Sequence, residues 1–215
     1  MRFEFSEDFL MYIPPAFSVD DRRWAVALME RYPFGVLVTC DAPYAVTTHL
    51  PMFPFEREGA LYIAGHVAAA NPHVTSIAAG APATAVFTGA HAFVSASWYT
   101  EPYATVPTWN YSAVRASGSL QTTSARDVVR ELSERFEGNA PGAWRIDGLS
   151  PEYLEKQLRG IVAFEMRVDV LDAKAKLSQN RTQEDRARVE RALAGSDDPM
   201  DRACAAAMRE SEERC

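Results

Sequence analysis

The chain has 215 residues, of which 47% are hydrophobic and 24% are charged, and its formal net charge is −7. This length is enough for one large domain with a substantial core, and the composition is ordinary for a globular protein. A protein that binds duplex DNA normally carries a cationic face, because phosphate neutralisation supplies most of its affinity. The sequence contains no basic block, so its charge argues against DNA as a partner.

The cellular compartment is predicted from the cysteines and from the apolar runs. Cys40, Cys204 and Cys215 are widely spaced and odd in number, so they form neither a zinc pattern nor a disulfide framework. Cys40 lies in an apolar run, and we expect it to be a buried small hydrophobe. No apolar run reaches the length of a membrane span, and the N-terminus has no signal pattern. These features predict a cytoplasmic protein that has no membrane partner.

The first half of the chain consists mainly of short apolar runs separated by turn residues. A helix bearing Trp24, Leu28 and Tyr32 is predicted first, with Ser18 as its cap and Pro33 after its end. The dipeptide Gly89-Ala90 is read as a turn between two strands. Strands are predicted at 35–40, 44–53, 60–66, 83–88, 91–97 and 106–121, with a short helix from Pro72 to Ile77 after the third. Six strands with few helices between them favour an antiparallel barrel.

The second half is predicted to be mostly helical from about residue 124. Ser124, Ser150 and Thr182 stand where helix caps are expected, and residues 161–171 alternate like a strand. The last helix spaces Met200, Cys204 and Met208 four apart, which is typical of a packing face on the same subunit or on a partner. The chain shows no interdomain linker, so residues 1–215 are interpreted as a single domain. Its fold class is mainly β with peripheral helices, or α+β.

The longest predicted strand begins with an unusual group of residues. Trp109 and Tyr111 flank Asn110 directly after Pro107. The simplest interpretation is a core strand whose aromatic rings fill a barrel. The alternative is a contact with a flat heteroaromatic ligand, because amphipathic rings beside an amide suit such a molecule.

Several familiar site motifs are absent, and one polar cluster remains. The sequence contains neither GxG nor GxSxG, so a dinucleotide fingerprint, a P-loop and a serine-hydrolase elbow have no support. The four histidines lack zincin spacing and are interpreted as hydrogen-bonded structural residues: His49, His66, His73 and His91. The segment 176–181 combines a lysine, a serine, two amides and an arginine. It either binds a phosphate or polar ring, or it satisfies its own backbone before a helix.

Five segments of the chain form a recognisable series when taken in order. They are Met11-Tyr12-Ile13-Pro14, Gly65-His66-Val67-Ala68 with Asn71-Pro72, Ser97-Trp98-Tyr99, Val106-Pro107-Thr108-Trp109-Asn110-Tyr111, and Lys176-Leu177-Ser178-Gln179-Asn180-Arg181. Together they resemble the PaiB-like family, often labelled FMN-binding negative transcriptional regulators. The resemblance runs from about Met11 to Leu193, and it implies a six-stranded split β-barrel of the FMN-binding type, related to pyridoxamine-phosphate oxidase. It also implies a homodimer with FMN at the subunit interface.

The resemblance also implies which residues contact the cofactor. Residues 47–50 would run along the flavin ring, and residues 65–71 would wrap its phosphate end. The remaining residues would close the pocket, some of them from the other subunit. The implied cofactor-binding residues are Thr47, Thr48, His49, Leu50, Gly65, His66, Val67, Asn71, Trp109, Asn110, Lys176, Ser178, Gln179 and Asn180.

The chain departs from the family pattern at several positions. Ala69 stands where an arginine is usual, and loss of that guanidinium removes a charge-assisted phosphate contact worth about 1.5–3 kcal/mol. Thr48 stands where asparagine is common, Ala96 where proline is usual, and Ala175 where tryptophan is frequent. Three outcomes follow for FMN: weak binding, replacement by another ligand, or rescue of its phosphate by a cation from segment 176–181.

Three functions remain open from the sequence. The first is a flavin-dependent oxidoreductase acting on a small-molecule substrate, since FMN carries its own redox chemistry. His49, His66 and Tyr111 are its candidate acid or base residues. The second is the transcriptional regulator that the family label names, although no basic recognition helix is found. The third is a binder of haem or another planar cofactor. No residue is predicted to be a ligand of a free metal ion.

Overall fold

The computed structural model describes residues 11–41 and 43–212. Within these ranges, four short 3-10 helices occupy Pro15–Phe17, Ala96–Trp98, Pro102–Ala104 and Ile146–Gly148. Among the described residues, no helix is both long and apolar enough to cross a membrane. The longer elements, in chain order, are α1 (Arg22–Arg31), β1 (Phe34–Asp41), β2 (Tyr44–Arg57), β3 (Ala60–Ala68), α2 (His73–Ala78), β4 (Pro82–Val94), β5 (Thr108–Thr122), α3 (Ala125–Glu137), α4 (Pro151–Leu158), β6 (Ile161–Lys176), α5 (Gln183–Ala194) and α6 (Pro199–Glu212).

The strands close into an antiparallel barrel in the order β1-β2-β3-β6-β5-β4, which confirms the predicted fold class. The predicted hairpin of β1 and β2 is present, with Phe34 opposite Pro51 and Cys40 opposite Ala45. Among the described residues the barrel has six strands, as predicted, but two of the predicted strands, 83–88 and 91–97, are one. Gly89 and Ala90 are buried inside one continuous strand, β4, and do not form a turn. The sixth strand is β6, which was predicted only as a later strand-like segment.

Local hydrogen bonding explains where the helices begin. The Ser124 hydroxyl accepts the N–H of Asp127, the Ser150 hydroxyl that of Tyr153, and the Thr182 hydroxyl that of Asp185, as their spacing predicted. The predicted cap at Ser18 is wrong. Ser18 forms a β-bridge with Lys174, and the side chain of Asp21 instead accepts the N–H of Arg23 at 2.9 Å.

The chain divides into two compact units, which we describe separately. The hairpin unit comprises residues 26–87 and 115–171, and the terminal unit comprises the described residues of 1–25, 88–114 and 172–215. The prediction of a single domain stays a prediction. The mostly helical portion from residue 124 contains α3 to α6 but also β6.

The core of the hairpin unit is formed by apolar strand residues that alternate along β1 to β3. Leu37, Met52 and Ile63 are fully buried there. On the other sheet face, α3 packs Val128 and Leu132 into a cluster with residues of β2, β3 and β6. One position needs glycine: a Cβ atom on Gly118 would overlap the Arg167 carbonyl oxygen, so β5 can pass this closely only with no side chain.

The terminal unit is built around the helix pair α5 and α6, which pack against each other. Val189 and Leu193 on α5 are fully buried, as are Cys204 and Met208 on α6. The predicted packing stripe of the last helix therefore lies within its own unit. The prediction that Cys40 is buried is wrong, because it is exposed at the end of β1. Cys215 and Ala42 lie outside the described residues.

Candidate functional site

In the hairpin unit, the predicted ring-contacting residues lie on β2 with alternating exposure. Thr47 and His49 are exposed, Thr48 is half-buried and Leu50 is buried, as expected for a strand with one solvent face. The His49 imidazole lies against the exposed Phe34 ring, with centroids 6.4 Å apart and planes 29° apart. The exposed face of this hairpin therefore presents two flat rings and a hydroxyl.

A closed set of hydrogen bonds joins β2 to the start of α2. The Asn71 side-chain oxygen accepts the backbone N–H of His73 at 2.9 Å, which holds the residues before α2 in a turn. The Asn71 side-chain nitrogen donates to the Thr48 hydroxyl at 3.1 Å. The Thr48 hydroxyl lies 2.9 Å from Nδ1 of His73, which is completely buried. His73 is therefore a hydrogen-bonded structural histidine, as predicted, and it also contacts two of the predicted cofactor residues.

The segment of β3 that was predicted to wrap the phosphate is tightly packed. A Cβ atom on Gly65 would meet the Pro51 carbonyl oxygen at 3.2 Å, and Val67 is only 3% exposed. His66 is half-buried, and burial lowers the pKa of its imidazole. Its Nδ1 atom is buried with no hydrogen-bond partner among the described residues. A buried, unsatisfied nitrogen of this kind is typical of a position that a ligand or water completes.

The backbone amides next to this segment already have acceptors. The N–H of Ala69 donates to the Gly160 carbonyl at 2.8 Å, and that of Asn71 donates to the Ala68 carbonyl at 2.8 Å. These amides are therefore poorly placed to replace the phosphate contact that an arginine at position 69 would make. Ala69 itself is exposed, so a longer side chain has room there.

In the terminal unit, Trp109 lies on the outer face of β5. Its side chain is 53% exposed, with His91 at 6.3 Å and Phe93 at 6.1 Å between ring centroids. The interpretation of Trp109 as a barrel-filling core residue is therefore wrong. The alternation of β5 buries Asn110 and Ser112 in its place. An exposed aromatic trio beside a strand is a surface that a flat ligand or a partner can cover.

Asn110 faces the interior of the terminal unit, where it meets the turn after β6. Its side-chain nitrogen donates to the Ser178 hydroxyl at 3.0 Å, and that hydroxyl donates to the Asn110 side-chain oxygen at 3.1 Å. Ser178 has a φ of 66°, in the left-handed region that a residue with a side chain seldom adopts. Both residues are buried, so the main role of this pair is to hold the turn after β6 in place.

Lys176 ends β6 as a half-buried cation without an acidic partner among the described residues. Its ammonium donates to the Thr108 hydroxyl and to the Trp109 carbonyl, each at 2.5 Å. Burial lowers the pKa of Lys176, and the positive charges of Lys174 and Arg181 lower it further. Lys174 is 6% exposed and donates to the Tyr12 carbonyl at 2.9 Å. Two cations so placed favour a nearby anion, because buried charge is costly unless it is paired.

The rest of segment 176–181 largely satisfies its own backbone. The Gln179 side chain donates to the Ala175 carbonyl at 2.6 Å and accepts the Leu177 N–H at 2.7 Å. Asn180 is exposed, and the Arg181 guanidinium lies 4.6 Å from the centroid of the Tyr99 ring. Within this segment, Lys176 is therefore the residue whose charge is left for an anion.

The structure thus brings the predicted residues together in two sets, one in each unit. Thr48 and Asn71 meet in the hairpin unit, and Trp109, Asn110, Lys176 and Ser178 lie together in the terminal unit. His73 and Lys174 were missed, because their contacts join segments far apart in sequence. Among the described residues, no group of three or more His, Cys, Asp or Glu residues is arranged to hold a metal ion.

Two cavities of the hairpin unit lie away from the predicted residues. One, of about 350 Å³, is lined by Arg57, Glu165 and the neighbouring face of α3. The other, of about 330 Å³, lies between the end of α1 and Leu132 and Phe136 of α3. No predicted cofactor residue lines either cavity, so neither bears on the predicted site.

Comparison with known proteins gives consistent matches. A family model described as "Putative FMN-binding domain" matches residues 11–170. The protease synthase and sporulation protein PAI 2 of Bacillus subtilis strain 168 is 34% identical over 192 residues, covering 88% of this chain and 92% of that protein. A protein of Emericella nidulans is 26% identical over 202 residues, covering 74% of this chain and 80% of that protein.

Two solved structures share the fold. The FAD and heme binding protein from Mycobacterium smegmatis aligns with a TM-score of 0.55 and 19% identity, covering 74% of this chain and 73% of that chain. The flavocytochrome Anf3 from Azotobacter vinelandii aligns with a TM-score of 0.55 and 16% identity, covering 79% of this chain and 74% of that chain. At identities this low, the likeness concerns the fold alone.

Proposed function

The chain belongs to the FMN-binding family that includes PAI 2, and on that premise we propose that it is a flavin-dependent oxidoreductase of PaiB type. The predicted family is confirmed, and FMN or a related flavin is the cofactor that this membership assigns. The oxidoreductase activity, its small-molecule substrate, the homodimer and the cytoplasmic location are our proposals. The flavin supplies the redox chemistry, so the protein has to bind it, orient it and shield it from water.

The observation that carries the proposal is the pair of cations on β6. Lys174 and Lys176 are buried or half-buried, and their ammonium groups contact carbonyls, a hydroxyl and aromatic rings, without a carboxylate partner among the described residues. A bound anion would offset this charge, and the phosphate of FMN is such an anion. We propose that Lys176 binds this phosphate in place of the arginine that position 69 lacks.

The other residues suit the aromatic part of a flavin. In the terminal unit, the exposed rings of Trp109 and Phe93 offer flat faces on which an isoalloxazine ring can stack. In the hairpin unit, Thr48 and Asn71 supply fixed polar groups that suit the edge of such a ring. Of the candidate proton-transfer residues, His66 is the one we favour, because its buried Nδ1 has no hydrogen-bond partner among the described residues and a bound ligand could complete it.

A homodimer would cover the aromatic rings that the chain exposes. Phe34 is 66% and Tyr44 is 83% exposed in the hairpin unit, and Phe93 and Trp109 are 47% and 53% exposed in the terminal unit. A second copy of the chain brings a matching surface, since a two-fold interface uses the same patch on both partners. Light scattering should return twice the 23.8 kDa chain mass at micromolar concentration. A mass of one chain would refute the homodimer.

The described residues give the regulator alternative little support. Two of the three arginines of α5 are engaged within the terminal unit: Arg186 donates to the Met208 carbonyl and the Ser211 hydroxyl, and Arg188 donates to Glu184. With a net charge of −7, we expect any binding to duplex DNA to be weak and unselective. A sequence-selective nanomolar complex at physiological salt would support regulation in place of catalysis.

The absorption spectrum of the purified protein tests the cofactor directly. Flavin bands, with release of FMN on denaturation, would support the proposal. A haem spectrum would support the haem alternative, which the names of the two structural neighbours suggest. If the purified protein has neither spectrum and added FMN does not bind in a fluorescence titration, a flavin-dependent activity is excluded.

A further inference from the structure

The directions of the three hydrogen bonds among Thr48, Asn71 and His73 can be assigned from chemistry. The backbone N–H of His73 can only donate, so the Asn71 atom 2.9 Å away is its oxygen. The other end of the Asn71 amide is then the NH₂ group, which donates to the Thr48 hydroxyl at 3.1 Å. The orientation of Asn71 follows from this bond to the backbone.

The hydrogen of the Thr48 hydroxyl then has two possible acceptors. Nδ1 of His73 lies at 2.9 Å and the Asn71 oxygen lies at 3.4 Å. The shorter contact is the stronger hydrogen bond, and the Asn71 oxygen already accepts from His73. Two arrangements fit the 2.9 Å contact: Thr48 donates to an unprotonated Nδ1, or a protonated Nδ1 donates to Thr48. We adopt the first, with the His73 proton on Nε2, because the second leaves the Thr48 hydrogen only the longer contact to an oxygen that already accepts from His73.

A threonine hydroxyl has one hydrogen and two lone pairs. In this arrangement the hydrogen goes to His73 and one lone pair is used by Asn71, so a single lone pair remains. Thr48 is only half-buried, so a ligand can reach this lone pair. Towards any ligand, Thr48 can accept a hydrogen bond but cannot donate one.

We propose that Thr48 selects an N–H group of the ligand, and that His73 acts as the positioning residue that imposes this selection. A carbonyl or phosphate oxygen of the ligand would be disfavoured next to Thr48, because its lone pair would face the remaining lone pair of the Thr48 hydroxyl. An asparagine, which is common in the family at this position, offers both a donor and an acceptor. With threonine at this position and His73 beside it, the protein can only accept a hydrogen bond from the ligand here, whereas an asparagine could also donate one.

For the flavin ligand, this selection deepens the proposed function and rests on it. The oxidised isoalloxazine ring carries a single N–H, at N3, between two carbonyl groups. The proposal assigns Thr48 to a donor of this kind. A dry pocket rejects an analogue that lacks the matching group, because the protein atom is then left unpaired.

The test compares FMN with N3-methyl-FMN, which has no ring N–H, by fluorescence titration. The wild-type protein should bind FMN at least tenfold more tightly. In Thr48→Val, which keeps the shape but has no lone pair, this preference should fall to about twofold or less. His73→Phe should also lose it, because the freed hydroxyl can turn its hydrogen outwards. His73→Asn places an oxygen near the position of Nδ1 and should restore most of the preference.

The outcomes separate this proposal from the proposed function. Equal affinities of the wild-type protein for the two flavins, or a preference that persists in Thr48→Val, would refute the selection by Thr48. Binding of neither flavin by the folded wild-type protein would refute the flavin function instead. Nitrogen-15 NMR of the flavin-free protein tests the tautomer independently. A proton on Nδ1 of His73 would overturn the assignment whatever the ligand is.

Discussion

The carboxamide of Asn110 and the hydroxyl of Ser178 form a reciprocal pair of hydrogen bonds, at 3.0 and 3.1 Å, between β5 and the turn after β6. Asn110 is 1% exposed and Ser178 is 3% exposed. Each group therefore depends on the other, because water cannot replace a partner that is lost. The turn that carries Ser178 directly follows Lys176, so this pair also fixes the end of β6.

We predict that Ser178→Ala lowers the free energy of unfolding by about 1–3 kcal/mol, because the buried Asn110 oxygen loses its donor and the Asn110 nitrogen keeps only the weak contact to the Met208 sulfur. Ser178→Gly should cost less, although it removes the same hydroxyl. Position 178 has a φ of 66°, which glycine adopts without strain. Urea unfolding measures both variants. The matched control is Ser119→Ala, on an exposed position of β5, which should change stability by less than about 0.5 kcal/mol. A glycine variant less stable than the alanine variant would contradict the argument.

We predict that Lys176→Ala weakens FMN binding by about 1.5–3 kcal/mol, tenfold or more, because the phosphate loses a charge-assisted contact. Raising the salt concentration should reduce this difference, since salt screens a partly exposed charge. The control is Lys156→Ala on the exposed surface of α4, which should bind as the wild type does. Unchanged affinity in Lys176→Ala would remove this residue from the site.

Adding a cation at position 69, where the family usually has arginine, tests the same phosphate contact in the opposite direction. Ala69 is exposed, so an arginine there does not have to displace packed atoms. We predict that Ala69→Arg tightens FMN binding and partly compensates Lys176→Ala in the double variant. Riboflavin, which has no phosphate, is the control ligand, and its affinity should not change. An equal gain for riboflavin would show that the arginine contacts the ring and not the phosphate.

The buried imidazole of His66 predicts a loss of stability in acid. Its pKa is lowered by burial, so between that pKa and the ordinary value of about 6.5 the unfolded chain binds more protons than the folded one. Stability should therefore be constant above pH about 6.5 and decrease as the pH falls below it. Urea unfolding at pH 7.5 and 5.5 measures the change, and His66→Gln should show a smaller one. An equal loss in both proteins would assign the effect to other groups.

The two described cysteines should differ sharply in reactivity. Cys40 is exposed, whereas burial, with a smaller contribution from Asp201, raises the pKa of Cys204 to about 12. In a Cys215→Ser variant, a thiol reagent at pH 8 should modify Cys40 rapidly in the native protein and Cys204 only after unfolding. Mass spectrometry of the peptides identifies which one has reacted. Rapid native modification of Cys204 would show that α6 opens readily.

The elements that the sequence predicted well are those set by neighbours along the chain. The caps at Ser124, Ser150 and Thr182 need only a hydroxyl and an N–H three residues later, so local spacing reveals them. The turn predicted at Gly89 was wrong because local sequence does not decide the conformation there. A glycine marks a turn or a tightly packed strand equally well, and only the packing around β4 decides between them.

The candidate site was predicted from the family motifs, and its errors concern contacts between distant segments. From the strand alone, the simplest interpretation of Trp109 was a core residue, although the family motif placed it at the cofactor; the alternation of β5 buries Asn110 and leaves the tryptophan outside. His73 lies 25 residues from Thr48, and no local pattern indicates that they meet. Which residues bind a flavin stays a prediction until the titrations described above are made.

The contact between Gly118 and Arg167 has a consequence for the divergence of this family. A side chain at position 118 would collide with backbone and not with a flexible neighbour, so no change in a nearby side chain can make room for it. Homologous sequences can therefore drift at the residues around it far more freely than at this one. A relative with any other amino acid here must hold β5 and β6 further apart at this point.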